Sequence, residues 1–151
     1  SGGTLVLIDE AARRDARSLH RHIVDHRVER IFLPNIALRG LAEVAAATGT
    51  DGQLPLREVY TAGEQLRVDD MMRSLFEQLP DCRLANHYGP SETHVATAHA
   101  LGPDAAEWPL LPPIGAPIAN TVAEVLDSAG RRVPVGIPGE LWLGGRRMAQ
   151  G

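Results

Sequence analysis

The chain has no lysine. All fifteen of its basic residues are arginine, so any step that needs an ammonium group must draw it from outside this sequence. It has one cysteine, Cys82, which excludes an internal disulfide, and it has no CxxC pair of the kind that holds zinc. No run of eighteen apolar residues is present, which excludes a membrane-spanning helix, and no basic-then-apolar leader opens the chain. Positive charge is in deficit: the net charge is -4, which argues against a surface that binds nucleic acid by neutralising phosphates. Aromatic residues make up only 4% of the chain, so each one is informative. A reducing cytoplasm fits these absences best.

What is present describes an ordinary globular domain. Of 151 residues, 44% are hydrophobic and 23% charged, enough to bury a substantial core. The first ninety residues alternate short apolar runs with helical patterns. "TLVLI" (4–8) reads as a buried strand. "RDARSLHRHIVDH" (14–26) sets Ala16, Leu19, Ile23 and Val24 at helical spacing. "RIFL" (30–33) predicts a second strand, "ALRGLAEVAAA" (37–47) a helix ended by the turn residues 48–52, and "REVYT" (57–61) a third strand. "DDMMRSLFEQL" (69–79) begins with acidic residues suited to a helix N-terminus, and "CRLANH" (82–87) predicts a fourth strand.

That rhythm means crossover units and a parallel sheet with helices covering its faces. Past residue 90 the texture changes. "LGPDAAEWPLLPPIGAPIAN" reads as an irregular connection, and "TVAEVLD", "SAGRR" and "VPVGIPGELWLGG" read as strand, turn and antiparallel strand. The expected fold is α/β: a parallel sheet with flanking helices over residues 1–90, then a connection and the start of a β-rich part over 91–151. The chain opens on "SGGTLVLID" without methionine and stops at "GGRRMAQG" in mid-pattern. It reads as a piece of a longer protein, of which a complete activity is not expected.

In an open parallel sheet ligands sit at the carboxyl ends of the strands. This rule singles out Phe32 to Asn35, Thr61 to Gln65 and Asn86 to Thr93. In "HYGPSET", Gly89 lets the backbone turn or approach a ligand, and Pro90 stiffens the next step. Ser91 offers a hydroxyl, Glu92 a carboxylate that suits half of a Mg²⁺ site, and Tyr88 a ring on which a base can stack. From the residues alone a plainer account is favoured: Gly-Pro makes a turn and Ser91 caps the next segment. In "YTAGEQL", Gly63 permits a tight bend and Glu64 can hold the neighbouring loop, or the segment is a strand end with a polar turn. His20, His22 and His26 read as a solvated helix face, since no HExxH acid lies between the latter two. His94 and His99 fall on opposite faces of a strand and make no metal centre. Cys82 reads as a small buried side chain, and Arg146 and Arg147 as solvated.

These stretches together resemble the adenylation domain of nonribosomal peptide synthetases, within the adenylate-forming superfamily. "NHYGPSET" is similar to that family's N-x-Y-G-P-T-E motif, "YTAGEQL" to its glycine–glutamate loop, and "PIGAPIANT" to the connection between motifs. "VPVGIPGELWLGGRRMAQG" is similar to G-E-L-x-x-x-G-x-x-x-A-x-G. The resemblance covers essentially the whole chain, in order and spacing. It implies a flavodoxin-like sheet that activates an amino or hydroxy acid with ATP and Mg²⁺, giving an acyl-adenylate and pyrophosphate. The product is then loaded on the phosphopantetheine thiol of a peptidyl carrier domain, in secondary-metabolite biosynthesis.

The same resemblance assigns roles by position. Asn86 and the His87 backbone would hold the adenine edge, Tyr88 would stack on its ring, and Gly63, Glu64 and Gly89 belong to the nucleotide-binding loops. Ser91 would bond the α-phosphate, with a serine where threonine is commoner, and Glu92 would bind Mg²⁺. Phe32, Tyr60, Ala62, His87, Val95 and Ala96 match the selectivity positions. None is charged, which predicts a neutral substrate side chain. The family's glycine-rich phosphate loop, its amine-pairing aspartate and its lysine-bearing mobile domain have no match here, so the chain alone is expected to be inactive. Two other readings remain: an acyl- or aryl-CoA ligase of the same superfamily, and a non-catalytic nucleotide-binding or interaction module.

Overall fold

The computed structural model describes residues 2–48, 54–90 and 95–145. The turn residues 49–52, together with Ser91, Glu92, His94, Arg146 and Arg147, lie outside the described residues. In chain order the elements are α1 (Glu10–Arg14), α2 (Ala16–Asp25), β1 (Arg30–Pro34), α3 (Asn35–Thr48), β2 (Glu58–Ala62), α4 (Asp70–Glu77), β3 (Arg83–Tyr88) and β4 (Thr97–Ala100). A 3-10 turn (Ala105–Glu107), β5 (Ala116–Pro117), β6 (Thr121–Leu126) and β7 (Glu140–Gly145) complete the order.

Five strands form one sheet in the order β1-β2-β3-β4-β5. β1, β2 and β3 are mutually parallel, with Phe32 beside Tyr60 and Tyr60 beside Ala85. β4 returns antiparallel to β3, and β5 antiparallel to β4, so this sheet runs past residue 90 to Pro117. β6 and β7 pair in a separate antiparallel sheet. The expected mixture of a parallel α/β sheet and a later antiparallel part is therefore present.

Period-two alternation decides what each strand buries. Leu33, Val59, Thr61, Leu84 and Asn86 are buried, while their neighbours Phe32, Tyr60, Ala85 and His87 point the other way and are not. Helices α2, α3 and α4 supply Leu19, Ile23, Leu38, Leu41, Met72, Leu75 and Phe76 to the core formed with the buried strand residues. The helices thus cover one face rather than both, and Phe32 on the opposite face is 56% exposed.

Some sequence expectations need correction. Residues 4–8 form no strand, and Leu5 and Leu7 are 84% and 79% exposed. The segment finds no ladder partner among the described residues, and without one a strand's backbone groups gain nothing from extension. The helix expected over 14–26 is present as α2, shortened to Ala16–Asp25, and a short helix, α1, precedes it. Asp15 breaks the run with extended backbone and caps α2 through its carboxylate, which accepts from Ser18 N at 2.8 Å. His20 is not on a solvated face: it is 7% exposed and lies on the buried stripe with Leu19 and Ile23. The last strand also starts later than expected. Pro134, Gly136 and Pro138 interrupt "VPVGIPG", and pairing begins at Glu140.

Candidate functional site

Because β1, β2 and β3 run parallel, their carboxyl ends at Pro34, Ala62 and Tyr88 reach the same edge of the sheet. A cavity of about 930 Å³ opens there. The end of β1 gives Pro34, the loop after β2 gives Gly63 and Glu64, and the loop after β3 gives Gly89 and Pro90. The three loops converge, as the strand-end rule requires.

Each loop is held by identifiable chemistry. Thr61 is fully buried in β2, and its Oγ1 donates to Asn35 Oδ1 at 2.5 Å. The same Asn35 side chain donates from Nδ2 to the backbone oxygen of Glu64 at 2.5 Å. Between them Gly63 takes a φ of +104°, the left-handed region that favours glycine. On the other side Asn86, 4% exposed, donates from Nδ2 to Pro113 O at 2.9 Å. Thr97 Oγ1 donates to Ile114 O at 2.7 Å. These bonds pin the segment 112–114 across the strand ends, where Pro112 and Ile114 close one wall of the cavity. Gly115 permits the close approach. Its φ is +83°, and a Cβ there would run into the Ala98 carbonyl oxygen.

The open face of the sheet leads into the cavity through aromatic rings. The His87 ring lies 5.2 Å from that of Tyr60 and 6.3 Å from that of Phe32. Burial pushes the His87 pKa below its ordinary value, so the imidazole is neutral near pH 7. Its Nδ1 is buried without a hydrogen-bond partner among the described residues. Tyr60 donates its hydroxyl to Glu58 Oε2 at 2.7 Å. That bond first, and burial second, push the phenol pKa up. Glu58 in turn faces Arg30 at 3.0 Å, so the charges near this end of the face answer one another. Cys82 lies away from the cavity, and burial above all pushes its thiol up to about 12, which leaves it inert.

Of the residues singled out in the sequence, Phe32, Ala62, Gly63, Glu64, Asn86, His87, Tyr88, Gly89 and Val95 line this cavity. Tyr60 stands behind His87 and does not line it. Ala96 is fully buried; its N–H donates to Tyr88 O at 2.8 Å and its carbonyl accepts from Ile118 N at 3.0 Å. Ser91 and Glu92 lie outside the described residues.

Sequence reasoning missed four contributors. Pro112 and Ile114 belong to a stretch whose proline content read only as irregular connection. Asn35 and Thr61 were inside the predicted loops but were given no role. A polar residue at a core-facing strand position, paired with an asparagine at a strand end, was the available signal.

Comparison with known proteins agrees with this geometry. The family model described as AMP-binding enzyme matches residues 1–151. The chain is 38% identical over 154 residues to gramicidin S synthase 2 of Brevibacillus brevis, covering 100% of this chain and 3% of that one. It is 36% identical over 151 residues to tyrocidine synthase 2 of Brevibacillus parabrevis, covering 100% and 4% respectively. Among solved structures it is similar to PA1221, an NRPS protein containing adenylation and PCP domains. The TM-score is 0.76 and the identity 27%, over 91% of this chain and 27% of that one. The chain thus spans a small part of the length of each relative. With the family model matched from end to end, this chain belongs to the AMP-binding enzyme family.

Proposed function

We propose that this chain is the central part of an adenylation domain that activates an amino or hydroxy acid with ATP and passes it to a carrier domain. The observation that carries the reading is the convergence of three parallel strand ends on one cavity, with an aromatic-lined sheet face beside it. In the whole domain a substrate carboxylate attacks the α-phosphorus of ATP, an acyl-adenylate forms, and pyrophosphate leaves. Such a reaction asks for positioning and charge neutralisation rather than a protein nucleophile.

The nucleotide suits the residues at the cavity. Tyr88 is 37% exposed and offers its ring for stacking, and Asn86 lies at the margin with its amide nitrogen already engaged by Pro113 O. Its carboxamide oxygen is the acceptor an exocyclic amine would meet. Ser91 is proposed to bond the α-phosphate and Glu92 to hold Mg²⁺. When bound, that ion would neutralise phosphate charge. The acid's side chain is proposed to lie along Phe32, Ala62, His87 and Val95, with Tyr60 and Ala96 behind them. Phe32, Ala62 and Val95 carry no charge, the imidazole of His87 is neutral, and Glu58 is paired with Arg30, which supports an uncharged substrate side chain.

The partners proposed are the rest of the adenylation domain and a carrier domain bearing phosphopantetheine, in the cytoplasm. No helix among the described residues is long and apolar enough to cross a membrane. The test is amino-acid-dependent exchange of pyrophosphate into ATP by the complete protein carrying this sequence. Glu92→Ala is expected to lower that exchange by about 10²–10³-fold, the scale for losing one charge-stabilising group. Exchange that needs no amino or hydroxy acid, or that Glu92→Ala leaves unchanged, would overturn the proposal. A preference for aspartate or arginine would overturn the uncharged-substrate part.

A further inference from the structure

We propose that Asn35 is a positioning residue: one carboxamide at the junction of β1 and α3 ties that junction to β2 and to the loop after β2, and so places the Gly63–Glu64 turn at the mouth of the cavity. The inference rests on the adenylation reading for what the turn does, though not for how it is held.

The hydrogen-bond demands on Asn35 are opposite in sign. Thr61 Oγ1 needs an acceptor, because it is fully buried and cannot turn to water. The Glu64 carbonyl needs a donor. A carboxamide has both atoms on one rigid plane and meets both. A carboxylate would satisfy Thr61 and repel the Glu64 oxygen. An aliphatic side chain would fail both, leaving the Thr61 hydroxyl buried without a partner.

A second observation agrees with this. Among the described residues nothing lies within 4 Å of where a Cβ on Gly63 would stand, so no described neighbour packs against the left-handed turn at that point. Thr61, by contrast, is in a paired strand, opposite Leu33 on one side and Asn86 on the other. Rigidity therefore passes from the sheet through Thr61 and Asn35 to the Glu64 backbone. Asn35 is the first residue of α3, which ties the turn to the helix layer as well. Glu64 and Gly63 line the cavity and Asn35 does not. Its effect on a ligand is transmitted by geometry alone.

The experiment compares Asn35→Asp and Thr61→Val with the unsubstituted protein, in the complete chain that carries this sequence, by pyrophosphate exchange and by amide hydrogen exchange. Asn35→Asp replaces a donor by an acceptor at Glu64 O. It should raise the KM for ATP about 10-fold, the scale of one hydrogen bond lost and replaced by two acceptor oxygens facing each other, while kcat stays within about twofold. Thr61→Val keeps the Asn35–Glu64 bond and loses only its anchor, so its KM should rise less, by roughly threefold on the same scale. Backbone amides at Glu64 and Gln65 should exchange faster in both variants.

A KM for ATP unchanged in both, with amide exchange also unchanged, overturns the proposal. So does an equal loss in kcat with no change in KM, because that would place Asn35 in the chemistry rather than in positioning. Should Asn35→Asp fold poorly, Thr61→Val decides by the same readings. Should the unsubstituted protein show no exchange, the adenylation reading falls, and the amide measurement alone upholds or overturns the coupling.

Discussion

Two parts of this molecule use similar apolar residues to different ends. In the five-stranded sheet with its helices, Leu38, Leu41, Val68 and Leu84 are completely buried. In the β6–β7 sheet and its loop, Val122, Ile137 and Trp142 are each more than half exposed, and Val135 entirely so. The first region has a second layer to pack against. The second is held by its ladder and by turn chemistry, in which Asp127 Oδ1 accepts from the backbone N–H groups of Ala129 and Arg131, both at 2.9 Å. A two-stranded sheet is marginal by itself, so the stability of the described chain resides in the first region. The cavity is also built there, on loops whose flanking strands cannot shift without opening the core.

That contrast can be broken by substitution. Leu84→Ala, near the start of the central strand β3, is expected to cost about 2–5 kcal/mol in chemical denaturation, the range for a truncated core leucine. Val122→Ala, in β6, is expected to cost less than about 0.5 kcal/mol, as for a surface change. Comparable losses would mean that the hairpin is packed in solution as firmly as the sheet.

A smaller effect sharpens the contrast at the cavity wall. Gly115→Ala puts a methyl group against the Ala98 carbonyl and forces a left-handed φ on alanine. About 1–3 kcal/mol of lost stability is expected, the cost of a residue held in a strained backbone region. Amides of 96–98 and those of Ala116 and Ile118 should exchange faster while those of β1 keep their protection. Uniform loss of protection would show that β5 is part of the core rather than a strap across it.

The smallest effect is a pH dependence confined to the first region. His20 is buried beside Leu19 and Ile23, and burial holds its pKa below the ordinary 6.5. In the pH range between the depressed folded value and 6.5, the unfolded chain binds more protons than the folded one. Stability is therefore full above about 6.5 and is lost as pH falls through the folded value. The urea midpoint is expected to drop between pH 7.5 and 5.5, and His20→Gln should shrink that drop. His87 shifts in the same direction, so the drop should shrink without vanishing. A midpoint that rises on acidification would contradict the burial account.

The parts legible in advance were those dictated by local pattern. Alternation in "RIFL", "REVYT" and "CRLANH" predicted β1 to β3 within a residue or two of Arg30–Pro34, Glu58–Ala62 and Arg83–Tyr88. Three loops at strand ends could be named because the parallel order forces them to one edge. The residues at 4–8 misled because an apolar run states a preference for burial without supplying a partner strand. The start of α2 was written in the chain, since Asp15 suits an N-cap and stands directly before the stripe that begins at Ala16. The fit of Pro112 and Ile114 to the cavity had no local signal, because the position of a segment far beyond a strand depends on what it meets there.

By itself the sequence determined the family, the parallel order of the first strands, and the absence of a lysine and of any disulfide. These depend on residue identity and on spacing along the chain, which are properties of the sequence whatever the fold. Tertiary structure alone decided that Asn35 bridges Thr61 to Glu64, that Asn86 and Thr97 pin the Pro112–Ile114 segment, and that His20 lies inside. Each of these joins groups far apart in the chain or depends on which side of a helix meets the core. Distance and burial exist only once the layers have packed.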